Sequence, residues 1–405
     1  MSSNDPRIER ALEEFFESER LSRRGFIGRA GSSGLALSGL AAVLAACGGV
    51  QGEAEKASKD KQDTRAVSHP KTTIGDWTFA NWPLYIDKKV LKQFNKEYGG
   101  KVKYTEEIND NFEFFGKVRQ QLQTGKPIGR DIVTLTDYMA ARWVRLNYVE
   151  PIDKQNVPNA ANLVDNLKTI NYDPKREYTL PWQSGATSIG YNIKKTGREL
   201  KSVKDLFDPK FKGKVTMLSE PYDSACAVLL GDGIDASKAN IDQLLGVIEK
   251  IDEANKKGQF RKFTGNDYTT DLTKGNLWVA MAYSGDLTGL QADNPNLEFV
   301  YPKEGSMIFT DNMMIPAKAA HPYAAETMMN YVYDPKVAAK LAAYIYYISP
   351  VQGAQEIIQK TDPKLAANPL LFPSEEIRKG FHPYPNLTPA DEREMEERMA
   401  QVTGA

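Results

Sequence analysis

The chain is poor in the residues that most hydrolases and metal proteins need. It carries three histidines and two cysteines in 405 residues. His69, His321 and His382 lie far apart, so no pair has the spacing of zinc ligands. A Gly-x-Ser-x-Gly elbow and a phosphate loop are also missing, so no catalytic residue, metal or cofactor is expected and the chain is not expected to be an enzyme. The segment Gly231-Asp232-Gly233-Ile234-Asp235-Ala236 resembles a dinucleotide fingerprint, but it follows an apolar helix rather than a strand and reads as a helix-ending turn. Charge of one sign is lacking too: 52 basic and 53 acidic residues are interspersed, leaving a net charge of −1, so nucleic acid is not an expected partner. The apolar run near the N-terminus, Leu35 to Ala46, has 12 residues. A bilayer span needs roughly 20.

That short run sits inside an address. Ser22-Arg23-Arg24-Gly25-Phe26-Ile27 precedes it and Leu44-Ala45-Ala46-Cys47 closes it. The paired arginines resemble a twin-arginine export signal, and the small residues before Cys47 resemble a lipoprotein cleavage box. Residues 1–46 are therefore expected to be removed, with Cys47 lipidated and the chain tethered to the outer face of the cytoplasmic membrane. Residues 47–71 are polar and nearly free of aliphatics, as a flexible tether would be. With Cys47 lipidated, Cys226 has no disulfide partner, and its apolar setting, Ala225-Cys226-Ala227-Val228-Leu229-Leu230, reads as a buried thiol.

About 359 residues remain after Cys47, which is long for one hydrophobic core and suggests two domains. From Thr72 onward short strands alternate with amphipathic helices. Trp77–Ala80, Val102–Tyr104, Asp131–Leu135, Ile189–Asn192, Lys214–Leu218, Trp278–Tyr283 and Met313–Pro316 read as strands. Lys89–Tyr98, Asn111–Leu122, Ile241–Ala254, Tyr323–Val332 and Lys336–Tyr344 read as helices. Such alternation argues for an α/β fold with largely parallel strands.

Ligands of open α/β sheets sit beyond the carboxyl ends of strands. That rule selects Trp82 and Tyr85, Thr136 and Tyr138, Glu220 and Asp223 with Tyr222, and Tyr283 with Asp286. Aromatic faces attract an ammonium group through the ring quadrupole, and a buried carboxylate makes a charge-assisted hydrogen bond to it. The set suits an organic cation.

A family resemblance covers Thr73 to about Asp362. The matching stretches are Asn81-Trp82 with Tyr85, Asp131-Ile132-Val133 leading to Thr136 and Tyr138, Leu180-Pro181-Trp182, and Gly185-Ala186-Thr187-Ser188-Ile189-Gly190-Tyr191-Asn192. Ser284-Gly285-Asp286, Pro302-Lys303-Glu304-Gly305, Asp311-Asn312 and Ile348-Ser349-Pro350 follow in order. These resemble the extracellular solute-binding proteins of spermidine/putrescine ABC importers. The resemblance implies a two-lobed periplasmic-binding-protein type II fold with three inter-lobe crossovers. By it, residues 72–184 and 285–317 would form lobe 1, residues 185–284 and 318–372 lobe 2, and residues 373–405 a terminal tail or helix. It implies a monomer that captures a polyamine and hands it to a membrane permease with its ATPase. Trp82, Tyr85 and Tyr138 fall at the family's aromatic-box positions, Tyr283 replaces its usual tryptophan, and Thr136, Asp286 and Asp311 complete the expected site. Pro83 departs from a usual hydroxyl residue. Direct alignment puts Pro221 and Ser224, rather than Glu220 and Asp223, at the acidic positions.

Other readings stay open at this level. Tyr344, Tyr346 and Tyr347 could serve a ferric ion, as in iron receptors of related architecture. The solute could instead be an amino-acid derivative or a sugar. Glu220 and Asp223 could act as acid and base in a tethered hydrolase.

Overall fold

A computed structural model describes residues 67–404 of the chain. The expected export signal at Arg23 and Arg24 and the lipidation site at Cys47 lie outside the described residues. Within them, no helix is long and apolar enough to cross a membrane. The described part begins at Val67, and His69 is already tied down: its backbone N–H donates to Asp153 Oδ2 at 3.1 Å and its Nδ1 lies 2.5 Å from Glu326 Oε1. Of the residues expected as a flexible tether, His69 is thus held against the folded body.

The early strands and helices form where periodicity places them. Strands β1 (Asp76–Asn81), β2 (Lys101–Glu106) and β3 (Ile132–Thr136) run parallel. Between β1 and β2, α1 (Lys88–Tyr98) starts where the Asp87 side chain accepts from Lys89 N. It buries Val90, Leu91 and Phe94 and stops at Gly99, whose φ of 82° favours glycine. Helix α2 (Asn111–Gln123) precedes β3, and α3 (Asp137–Arg145) follows it directly. β3 is buried along its whole length because β1 and a later strand flank it on both sides. A short strand, β4 (Val149–Glu150), comes next.

Two long strands then tie the molecule together. β5 (Thr179–Asn192) is buried at all 14 positions. Four shorter strands follow: β6 (Val215–Leu218), β7 (Phe260–Thr264), β8 (Val279–Tyr283) and β9 (Leu297–Val300). Interleaved with them are α4 (Pro221–Gly231), α5 (Ile241–Lys256) and α6 (Ser284–Leu290). The second long strand is β10 (Ser306–Pro316). Strand order is β2-β1-β3-β10-β5-β8-β6-β7. Thr187–Tyr191 of β5 pair with β8, whereas Asp311–Met314 of β10 pair with β3. The central β5–β10 pair therefore belongs to both a first half built on β1–β3 and a second half built on β6–β9. The turn read from Gly231 to Ala236 is present: α4 ends at Gly231, and Gly233 takes φ 82°.

The expected division between halves is corrected by these pairings. Strand β9 pairs with Ile189–Asn192, and a side chain at Gly190 would meet Leu287 of α6 at 2.8 Å. Residues 285–300 thus pack with the second half, and the chain returns only along β10. Helices α7 (Pro322–Val332) and α8 (Pro335–Ile345) then stay with the first half. Glu326 accepts from Asp153 N, Asn330 Oδ1 accepts from Asn159 N, and Tyr333 donates to the Pro181 carbonyl. The physical reason is the ladder: β10 delivers the chain beside β3 and β4, and the apolar faces of α7 and α8 bury where it emerges.

The tail leads through β11 (Phe381–His382), which pairs with Ser306–Met307, into a terminal helix. Helix α9 (Pro389–Thr403) packs on α5, where Asn255 Nδ2 donates to the Val402 carbonyl.

Candidate functional site

The carboxyl ends of β3, β6 and β8 turn straight into helices. The first residues of α3, α4 and α6, together with Asp311 in the middle of β10, therefore meet along the seam between halves. Asp311 stands opposite Thr136 in the β10–β3 ladder. Register alone brings together two residues 175 positions apart: Thr136 Oγ1 donates to Asp311 Oδ1 at 2.8 Å. Tyr85, from the loop after β1, donates to the other oxygen at 2.8 Å.

Glu220 reaches across the seam into this cluster. It accepts from Asn111 N at 2.6 Å, from Asn111 Nδ2 at 2.9 Å, and from the Tyr138 hydroxyl at 2.8 Å. Asn111 Nδ2 also donates to Thr136 Oγ1, closing the network. A second cluster surrounds Asp223 and Asp286. Asp223 accepts from Thr187 Oγ1 at 2.6 Å and from the Tyr384 hydroxyl at 2.5 Å, with the Tyr283 hydroxyl at 3.5 Å. Asp286 accepts from Tyr268 at 2.7 Å, Tyr347 at 2.8 Å and Asn266 Nδ2 at 3.0 Å.

Rings join the two clusters. Tyr85 meets Tyr347 edge-on at 4.9 Å, Tyr138 stacks on Tyr222 at 4.4 Å, and Tyr384 stands edge-on to Tyr138 at 5.2 Å. Phe309 closes on Tyr283 at 5.3 Å.

The electrostatics follow from burial. Glu220, Asp223 and Asp311 are nearly inaccessible. Burial pushes the Glu220 carboxyl well above the usual range, with Asp110 and Asp223 adding to it. Burial raises Asp223 to about 6 against the opposing hydroxyls of Thr187 and Tyr384, and Asp311 to about 7 against those of Tyr85 and Thr136. Asp286 rises for the same cause, opposed by Tyr268 and Tyr347. Among the described residues, the hydrogen-bond partners of these four carboxyls are hydroxyls, amides and a backbone N–H; none is a basic side chain. A carboxyl in this setting either keeps its proton or ionises against a cation brought to it.

Eight of the nine expected ligand residues lie in these clusters: Tyr85, Thr136, Tyr138, Glu220, Asp223, Tyr283, Asp286 and Asp311. Trp82 stands apart, since its indole N–H donates to the Thr134 carbonyl at 3.0 Å and holds the loop to β3. Glu220 and Asp223 both turn their carboxyls to the seam, whereas Ser224 donates to the Leu218 carbonyl. Of the tyrosines weighed as iron ligands, Tyr347 is engaged with Asp286, and Tyr346 takes a left-handed φ of 63° where α8 ends. Sequence reasoning missed Asn111, Tyr268 and Tyr384. Asn111 follows Asp110 at the start of an expected helix and carried a positional signal, whereas Tyr384 lies in a proline-rich tail and carried none.

A strand-linked α/β body whose seam is lined by tyrosines and carboxyls is built as a receptor for a small solute. The chain belongs to the bacterial extracellular solute-binding protein family, whose description matches residues 89–373. It is similar to the spermidine/putrescine-binding periplasmic protein 1 of Haemophilus influenzae, 25% identical over 346 residues, covering 85% of this chain and 90% of that one. The spermidine/putrescine-binding periplasmic protein of Escherichia coli is 27% identical over 306 residues, covering 74% and 84%. In fold it resembles a putative spermidine/putrescine ABC transporter protein from Listeria monocytogenes, with a TM-score of 0.73, 24% identity, and coverage of 81% of this chain and 99% of that one.

Proposed function

We propose that this protein captures a polyamine, or an organic cation like one, in the seam between its halves and delivers it to an ABC permease. One observation carries the reading: the buried carboxyls of Glu220, Asp223 and Asp311 and the half-buried one of Asp286 have hydroxyl and amide donors but no basic partner among the described residues. An ammonium group replaces water and protons in such a setting, because it supplies the missing charge as well as hydrogen-bond donors. The tyrosines beside the acids suit the methylenes and the cation at once. The two named relatives are called spermidine/putrescine-binding proteins, which supports the same ligand class.

The body closes on its ligand by bending at β5 and β10, and the closed form is what the permease reads. It works as a monomer, with Cys47 lipidated and the 20-odd residues after it keeping the receptor at the membrane surface. The chemistry is binding and release, without a covalent step. Isothermal titration with putrescine, spermidine, an amino acid and a sugar tests the reading. Heat and a micromolar-range Kd with the amines are expected. Binding of the sugar or amino acid alone would overturn the proposal.

A further inference from the structure

The terminal helix carries a glutamate where its pattern calls for an apolar residue. Glu392, Met395, Met399 and Val402 are its buried positions, spaced three, four and three apart, so they share one face. Three of the four are apolar, and the fourth is a glutamate with 3% of its surface exposed. A buried carboxylate needs partners. Glu392 Oε2 lies 3.1 Å from Arg142 Nε and 2.7 Å from Arg145 Nη2, and Oε1 accepts from the Tyr222 hydroxyl at 3.4 Å. Glu396, one turn on, also pairs with Arg142.

These partners come from both sides of the seam. Arg142 and Arg145 end α3, the first-half helix that begins beside Tyr138. Tyr222 belongs to α4 of the second half, and α9 itself lies on α5 of that half. The guanidinium of Arg142 sits over the rings of Phe112 and Phe115 at 5.5 and 5.4 Å, and Phe112 in turn stacks on Tyr138 at 5.9 Å. Glu392 therefore holds both members of the Tyr138–Tyr222 stack from behind, one through its hydroxyl and one through the arginine and phenylalanine, without a hydrogen bond to any of the four site carboxyls.

We propose that Glu392 is a positioning residue for the site, and that α9 straps the two halves together through it. The strap favours the closed arrangement and registers Tyr138 against Tyr222, so it sets how long a ligand stays. Residues 374–404 lie beyond the segment matched by the family description, so this control is added outside the matched part of the chain.

The test uses the full chain and Glu392→Gln, with Tyr222→Phe as a milder variant that keeps the ring and removes the hydroxyl. Amide exchange on the ligand-free proteins should rise in residues 110–114 and 220–224, which face each other across the seam. It should stay unchanged in the core strands at 132–135 and 279–282. Putrescine should leave the Glu392→Gln protein about tenfold faster, within the roughly 5–150-fold span usual for coupling between sites, with little change in its association rate. Tyr222→Phe should move both readouts the same way and less far. Exchange that rises equally in the core would mark Glu392 as a stabilising residue only and overturn the strap, as would a folded Glu392→Gln protein with the parent's exchange pattern and release rate. The kinetic arm rests on the amine reading, but the exchange arm needs no ligand. A parent protein that fails to bind putrescine would sink that reading and leave exchange to decide the strap.

Discussion

Tyr384 donates a 2.5 Å hydrogen bond to Asp223, 161 residues earlier in the chain. The tail thus returns a hydroxyl to an acid that β6 and α4 place in the seam. That bond pulls the Asp223 carboxyl down against its burial. Tyr384→Phe should therefore raise the carboxyl further, and the pH midpoint of putrescine binding should move upward. Titrations across pH 5 to 8 check this, and an unmoved midpoint would detach Tyr384 from the site.

The buried acids make a sign-definite statement about pH. Asp223 at about 6 and Asp311 at about 7 hold protons more tightly folded than unfolded. Their contribution to stability is complete below the unfolded value of about 4 and is lost as pH rises through the folded values. The ligand-free protein should melt at lower temperature at pH 8 than at pH 5, from a loss on the order of a few kcal/mol. A cation favours the ionised forms, so putrescine affinity should strengthen over the same interval. Calorimetry in buffers of different ionisation enthalpy should register proton release on binding.

Asp286→Asn separates binding from stability. It keeps the shape that Tyr268, Tyr347 and Asn266 surround and removes a half-buried carboxyl that has no basic partner among the described residues. Affinity for putrescine should fall by about 3 kcal/mol, more than a hundredfold, as expected when a buried ammonium loses its counter-charge. The ligand-free melting temperature at pH 8 should hold or rise. Unchanged affinity would remove Asp286 from the site.

Gly285 admits no side chain. A Cβ there would stand 2.3 Å from the Tyr347 ring, whose hydroxyl is committed to Asp286. Gly285→Ala should cost about 1–3 kcal/mol through overpacking. It should also weaken amine binding by displacing Tyr347. Chemical denaturation and titration of one preparation would measure both.

Export is open to a separate test. Replacing Arg23 and Arg24 together by lysine should leave the protein in the cytoplasm, and Cys47→Ser should release it from the membrane fraction. Normal fractionation of both variants would overturn the reading of the leader.

Much of this protein was written locally. Strand and helix alternation follows from apolar spacing, and the ends of β1, β3, β6 and β8 mark where a ligand would sit because strands stop and polar residues begin there. Tyr85, Tyr138, Glu220 and Asp223 were legible for that reason. Topology decided the rest. No spacing in the chain reveals that Asn111 meets Glu220 across the seam, or that Thr136 and Asp311 stand opposite one another. The assignment of 285–300 to the second half and of α7 and α8 to the first depended on the β5–β9 and β10–β3 ladders. Tyr384 and Glu392 sit in a tail of prolines and charges whose local pattern predicts a terminal helix but not what these two side chains meet. Their roles come from hydrogen bonds to partners 161 and 250 residues away, and such pairings exist only once the backbone has brought the two halves together.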